Sequence, residues 1–384
     1  MGEPVRVGIV APEGMVIPPA YGGSVQIYLF HLLKNLTNYH LSTVLPTLFS
    51  PTAQNGKHVS FPLIKIHHRK KGLYLREVLQ KLAACKLDLI QIDNRPAWVT
   101  AIKRKFPKIP VVLNLHSVTF LGDSHISSAH LRQVWREISA VVVNSQALAG
   151  VLKHRYGVPS RKIYVIQPGV DLSAFPSRWS NHGMDRRKAF RKANNCETSF
   201  VFLYAGRVIR SKGIHTIIQA FQSIHKTYPS TCLFIVGNTH PWEKAYRKFL
   251  EKKARNRSIR IIRHLPHHTL VNYYLGADAF LCPSQQFEAF GLVNIEALAT
   301  GLPVIASKQG GIKEIVAPGC GILVTSFHSE KAFRNAMLKA IRNQSHWRTS
   351  MSESSRIRAE TAFSWKKTAD SFANLYRLLA YRSL

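Results

Sequence analysis

Acidic residues are scarce in this chain. Twenty Asp and Glu stand against 53 Lys and Arg in 384 residues, a formal net charge of +33 at pH 7. A field of that sign attracts polyanions: nucleic acid, an anionic membrane leaflet, or an acidic polymer or substrate. Cysteine is scarce too. The five are Cys85, Cys196, Cys232, Cys282 and Cys320, odd in number, widely spaced and without a CxxC pair. That argues against a disulfide framework and against a structural zinc site. No apolar run reaches the roughly 20 residues that span a bilayer. The first apolar run, residues 5–11 (VRVGIVA), is too short for a signal sequence. A cytoplasmic protein is expected, with a peripheral hold on an anionic membrane left open. No HExxH or comparable ligand cluster is found, so neither a catalytic metal nor another cofactor is expected. Walker A spacing and GxGxxG are missing, as are RNP, zinc-finger and KH signatures, so no specific nucleic-acid partner is expected. Solenoid-length repeats and low-complexity tracts are absent as well.

What is present is a rhythm of short apolar runs. In the first half they fall at 5–11, 41–48, 63–66, 87–92, 111–115, 140–143 and 163–166. Residues 168–195 then turn irregular and polar, which marks a boundary. The rhythm restarts at 200–205, 232–236, 259–262, 279–282, 304–306 and 322–324. Apolar strands alternating with helix-length segments indicate parallel sheets covered on both faces. The expectation is α/β: two doubly wound domains in series, residues 1–175 and 176–363, with a helical segment at 364–384. Ligands of open α/β sheets lie beyond the carboxyl ends of the strands. Two such sheets facing each other would place a site in the cleft between them.

The densest chemistry lies at 284–311, SQQFEAFGLVNIEALATGLPVIASKQGG. A turn through Phe290, Gly291 and Leu292 opens a helical pattern that carries Glu296. Unpaired amides at such a helix start form an anion site, assisted by the helix dipole. Glu296, one turn inside, can accept hydrogen bonds from hydroxyls of the same ligand. Glu288 stands before the turn, over whatever is attached to the anion. On spacing alone the two glutamates would be ordinary solvated charges; the turn and the strand context set them apart. A phosphate held by amides, with polyols on either side held by carboxylates, describes a nucleotide sugar.

Three further positions belong to the same reading. Gly206, Arg207 and Lys212 lie just past the apolar run at 200–205, where two cations could neutralise a diphosphate leaving group without a metal. Gly22 and Gly23 follow the first strand and would let a backbone approach a ligand closely. His116 ends the apolar VVLNLH, at the carboxyl end of a strand. Basic segments occur at 69–71 and 103–108. Between them, residues 73–86 read as an amphipathic helix with Leu75, Val78, Leu79 and Leu82 in one stripe. Packing of that stripe on the sheet is the expected use, while its basic polar face could still attract an anionic membrane.

Together these features resemble the GT-B fold, retaining glycosyltransferases of family 4. The resemblance rests on PPAYGG, His116, PGVDLSAF at Pro168–Phe175, GRVIRSKG at Gly206–Gly213, the block from Glu288 through GGIKEIV, and the closing FSWKKTADSFANLY. NRPAW at Asn94–Trp98 and the pair Arg178-Trp179 further resemble a spore-coat-associated branch. The resemblance implies two Rossmann-like domains across a cleft, residues 1–175 for the acceptor and 176–363 for the donor, with 364–384 crossing back to the first. It implies that Glu296 binds the donor ribose and that Arg207 and Lys212 hold the diphosphate. Glu288, with the backbone of Phe290, Gly291 and Leu292, would hold the sugar and stabilise charge at its anomeric carbon. His116 would approach the sugar from the other domain, and Gly22, Gly23 and Gly206 would line the donor site. The partners implied are a nucleotide-sugar donor and a glycan, lipid-linked, cell-wall or spore-coat acceptor, with no divalent metal. Two other readings stay open: a catalytically silent GT-B coat protein, and a polyanion-binding protein.

Overall fold

The computed structural model describes residues 3–17, 23–51, 59–255 and 257–381. They form two compact units. The first comprises Met1–Gly169 with Trp365–Leu384, and the second Val170–Ser364. Gly22 lies outside the described residues, as does Tyr21.

The first unit is built on seven strands: β1 (Val5–Val10), β2 (Val44–Ser50), β3 (Leu63–Lys65), β4 (Leu89–Asp93), β5 (Val111–Leu115), β6 (Ala140–Val143) and β7 (Ile163–Val165). Their order is β3-β2-β1-β4-β5-β6-β7, every pair parallel. The order reverses between β1 and β4, so their carboxyl ends form the switch point where doubly wound sheets bind ligands. Central strands β4, β5 and β6 are buried at every residue, which is why they read as continuous apolar runs rather than alternating ones. The helix Ser24–His40 buries Tyr28, Leu29, Leu32, Leu33 and Leu36. That three-and-four spacing makes one apolar face, and each such side chain contributes about 1.5–3 kcal/mol. The last helix, Trp365–Tyr381, packs on it, with Trp365 and Phe372 edge-on to Tyr28 at ring distances of 5.6 and 6.4 Å. The terminal segment thus belongs to the first unit's core.

The second unit has six strands: β8 (Phe200–Ala205), β9 (Thr231–Val236), β10 (Ile259–Ile262), β11 (Ala279–Cys282), β12 (Val304–Ser307) and β13 (Gly321–Val324). Their order is β10-β9-β8-β11-β12-β13, again all parallel. The switch point lies between β8 and β11. At one end of the unit Val170 bridges Ser364, and its amide donates to the Phe363 carbonyl at 3.0 Å. Val170 and Phe175 pack in this unit's core, so the units part at Gly169/Val170 rather than at the expected 175/176.

Three sequence expectations need correction. The second strand begins at Val44, not 41, because Thr43 turns back on the Ser24–His40 helix, its amide donating to the His40 carbonyl at 2.8 Å. The stretch read as irregular contains a helix, Asn181–Ala193, whose N-cap Ser180 accepts from the Gly183 amide. The basic helix spans Lys71–Ala83. Its buried line is Tyr74, Val78 and Leu82, while Leu75 and Leu79 are only half-buried.

One ionic network organises the second unit. Asp278, fully buried before β11, takes Arg187 Nη2 (2.6 Å) and Arg348 Nε (3.0 Å) on Oδ1. Its Oδ2 takes Arg191 Nη1 (3.1 Å) and the Val201 amide (2.8 Å). Burial pushes this carboxyl up, but the charges of Arg187, Arg191 and Arg348 outweigh burial and hold it far below the usual range. Among the described residues no helix is long and apolar enough to cross a membrane.

Candidate active site

In the second unit the loops after β8 and β11 meet at the switch point. A 3-10 turn, Arg210–Lys212, ends at Gly213 with φ +68°. A Cβ at Gly213 would lie 2.1 Å from the Pro283 carbonyl oxygen, so only glycine admits this approach. Beside it the Gln285 amide donates to Ser211 O at 2.8 Å. Thus joined, the loops bring Lys212 and Glu288 into an ion pair, and Ser284 Oγ donates to the same Glu288 Oε2 at 3.1 Å. Both charged side chains keep about a fifth of their surface open, 20% and 21%.

The backbone of Glu288 is seated from below. The Gly311 amide donates to its carbonyl at 2.9 Å. Gly310 packs so closely that a Cβ there would lie 2.0 Å from the same oxygen. Gln309 Nε2 donates to Ser284 O at 2.8 Å. The helix Leu292–Ala299 then begins at Gly291, φ +104°, without a side-chain cap. Phe290 is buried and meets Phe363 edge-on at 5.9 Å, which anchors the turn. Glu296 is buried, 7% exposed, and accepts the Tyr274 hydroxyl on Oε2 at 2.9 Å. Burial first, and then the Glu296 charge, push the Tyr274 phenol well above its usual range, so it stays a donor.

Lys212, Glu288 and Gly291 therefore meet at one strand-end region, with Glu296 inside the helix that starts there. Arg207 is exposed after β8, and its side chain makes no hydrogen bond or ion pair among the described residues. Its carbonyl accepts the Tyr204 hydroxyl at 2.7 Å, which fixes the backbone after Gly206.

His116 belongs to the first unit and follows β5. Its Nε2 is 2.9 Å from Asp93 Oδ1, with side-chain exposures of 8% and 0%. Its amide donates to Asn94 Oδ1 at 2.8 Å, and Asn94 holds a left-handed φ of +51° to make that bond. Tyr28 packs edge-on to the imidazole at 4.5 Å. Gly23 caps the Ser24–His40 helix, and a Cβ there would lie 2.1 Å from Gln26 Oε1. At this unit's own switch point Arg95 Nε pairs with Glu13 Oε2 at 2.6 Å, and its guanidinium lies 4.1 Å over Phe120.

Sequence reading gave no site role to Ser284, Tyr274, Asp93 or Asn94, although Asn94 opens the NRPAW segment. Asp93 had a signal: it ends an apolar strand, and His116 directly follows one. Ser284, four residues before Glu288, lay in plain view within the motif. Tyr274 had none, because its meeting with Glu296 spans elements.

These features define a class. The chain matches the family described as "Glycosyl transferases group 1" over residues 185–358 and "Glycosyltransferase Family 4" over residues 22–174. It belongs to that glycosyltransferase family, and its fold is GT-B. Among its relatives, Spore coat protein SA of Bacillus subtilis (strain 168) is 25% identical over 382 residues, covering 97% of this chain and 99% of that protein. The Putative glycosyltransferase YtcC of the same strain is 27% identical over 380 residues, covering 97% and 92%. Anabaena Alr3699/HepE, solved in complex with UDP and glucose, superposes with a TM-score of 0.77 at 20% identity, covering 97% of this chain and 99% of that one.

Proposed function

We propose that this glycosyltransferase is a retaining enzyme that moves a sugar from a nucleotide-sugar donor to a glycan, lipid-linked or coat-type acceptor without a metal. The observation that carries the reading is the paired Lys212 and Glu288 beside the Gly291 helix start, with Glu296 held one turn inside. Leaving-group stabilisation matters more here than proton transfer. In this reading Lys212 and Arg207 neutralise the departing diphosphate, Arg207 being the cation left free to do so. Glu288 and the backbone of Phe290, Gly291 and Leu292 hold the sugar and oppose positive charge at its anomeric carbon. Glu296 binds the ribose hydroxyls. His116 contacts the sugar, and Gly22, Gly23 and Gly206 leave room for phosphates. HepE's UDP and UDP-glucose complexes support a uridine donor as the first to try. The charge of +33 suits work at an anionic surface on the cytoplasmic side of a membrane or on a coat.

A thermal-shift and turnover screen of UDP-, GDP- and ADP-sugars tests the donor. Glu288→Ala, Glu296→Ala and Arg207→Ala are each expected to lower transfer about 10²–10³-fold, the cost of one lost charge-stabilising group. Wild-type rates in all three folded variants would sink the site assignment. The relative named as a coat protein motivates a second reading, a silent structural role. Absence of donor binding across the panel would favour it.

A further inference from the structure

The last helix reaches His116 through a line of buried side chains. Tyr376 on that helix donates its hydroxyl to Gln91 Oε1 at 2.6 Å. Gln91 Nε2 donates to Asp93 Oδ2 at 2.8 Å. Asp93 Oδ1 faces His116 Nε2 at 2.9 Å. Gln91 and Asp93 are two apart on β4 and so share one face of the sheet. Gln91, Asp93 and Tyr376 are all 0% exposed.

The directions of these bonds are determined by what each group can do. A carboxylate only accepts, so Gln91 must turn its NH₂ toward Asp93 and its oxygen toward Tyr376. Tyr376 must then donate. Burial, with the Asp93 charge second, pushes its phenol well above the usual range, which keeps that proton in place. Asn114 Nδ2 supplies Asp93 Oδ1 with another donor at 2.7 Å. The remaining approach to Oδ1 is His116 Nε2, which must carry its proton there. One contact competes: Asn114 Nδ2, whose second N–H is not spent on Asp93, lies 3.4 Å from His116 Nε2, at the edge of bonding distance and longer than the 2.9 Å from His116 to Asp93. Nδ1 of His116 has no hydrogen bond among the described residues.

We infer that Asp93, at the head of a relay whose Gln91 and Tyr376 hold its carboxylate in place, sets His116 in the Nε2–H tautomer, so that Nδ1 meets the ligand as a hydrogen-bond acceptor for a sugar hydroxyl. The contact with sugar rests on the function proposed above; the tautomer does not. A second partner often fixes which nitrogen of a functional histidine is free. Here the support of that partner comes from a helix more than two hundred residues later in the chain. Tyr376 and Gln91 touch no ligand in this scheme. They act through Asp93.

The test is ¹⁵N NMR on protein labelled at histidine, recorded at pH 8.5, above the range where ordinary histidines titrate. His116 resonances are assigned by their loss in His116→Gln. The expected spectrum shows a single Nε2–H tautomer in the wild type and the Nδ1–H form or a mixture in Asp93→Asn, whose amide can turn its NH₂ toward the ring. An Nδ1–H wild type, or an unchanged spectrum in Asp93→Asn, overturns the relay. If Asp93→Asn does not fold, Asp93→Ala carries the same comparison. UDP-, GDP- and ADP-glucose are then titrated in. The donor that binds is expected to move His116 Nδ1, and its kcat/KM to fall about tenfold in Asp93→Asn, the loss of one hydrogen bond. Binding without any change at His116 overturns the sugar contact. Failure of all three to bind refutes the proposed function instead, while the tautomer result still decides the relay.

Discussion

Tyr274 offers a test, from behind, of the nucleotide site proposed at Glu296. Tyr274→Phe removes one oxygen and leaves the ring, which stays packed edge-on to Phe175 at 5.8 Å and tilted on Phe280 at 5.6 Å. The loss is the hydrogen bond to Glu296 Oε2, 2.9 Å long and buried. A bond to a charged acceptor is worth about 1.5–3 kcal/mol. In the free protein that bond holds Glu296 in one place; without it, the ligand must order the carboxylate on arrival. The whole bond sets the upper bound, so the Kd of the bound nucleotide should rise by roughly ten- to a hundredfold at most. Calorimetry with the nucleotide found in the donor screen measures this. A double-mutant cycle isolates its cause. In the Glu296→Ala background Tyr274→Phe should change affinity by less than about twofold, within the error of additive sites. Equal losses in both backgrounds would mean that Tyr274 acts through the core and not through Glu296. An unchanged Kd in the single variant would refute a preorganised Glu296 outright.

Two further variants probe the support of the site. Asp278→Asn leaves three arginines facing a neutral amide and should cost about 3–5 kcal/mol, as broken buried pairs do, read as a lower melting temperature of the second unit. Because the folded carboxyl lies far below its unfolded value, its contribution is complete above about pH 5 and shrinks as pH falls below about 4. The gap between wild type and Asp278→Asn should therefore narrow in acid, and a gap constant from pH 7 to 3 would contradict the network. Gly310→Ala places a methyl against the Glu288 carbonyl at a backbone φ of +49°. It should displace the Glu288 loop and lower transfer strongly while nucleotide, which the proposed function assigns to Glu296, still binds. Full activity in a folded Gly310→Ala protein would show that this seat is not needed.

The sheets were legible because a strand buried on both faces has to be apolar throughout, as β4 to β6 are, and such runs are hard to confuse with loops. The Asn181–Ala193 helix was not, because its inward face includes Arg191. Arg191 packs its stem and spends its guanidinium on the Gly276, Glu197 and Ser199 carbonyls and on Asp278. An element that buries arginine shows no apolar stripe. At the site, Glu288, Lys212 and His116 could each be picked from their strand-end positions. Their partners could not: Lys212 meets Glu288 across 76 residues, and Tyr376 reaches Gln91 across 285. Spacing along a chain carries no information about such meetings until the strand order is known.

The placement of Trp365–Tyr381 in the first unit has a consequence for how the chain comes into being. Residues 170–364 leave the ribosome as a complete unit while the unit begun before them still lacks its last helix, and with it the buried rings of Trp365, Phe372 and Tyr376. The part started first is finished last. During synthesis the second unit can close its core while β1 and the Ser24–His40 helix wait with an uncovered apolar face. A nascent chain halted before Trp365 would therefore display one folded half and one sticky half, a state in which chaperone capture, rather than native packing, protects the earlier segment.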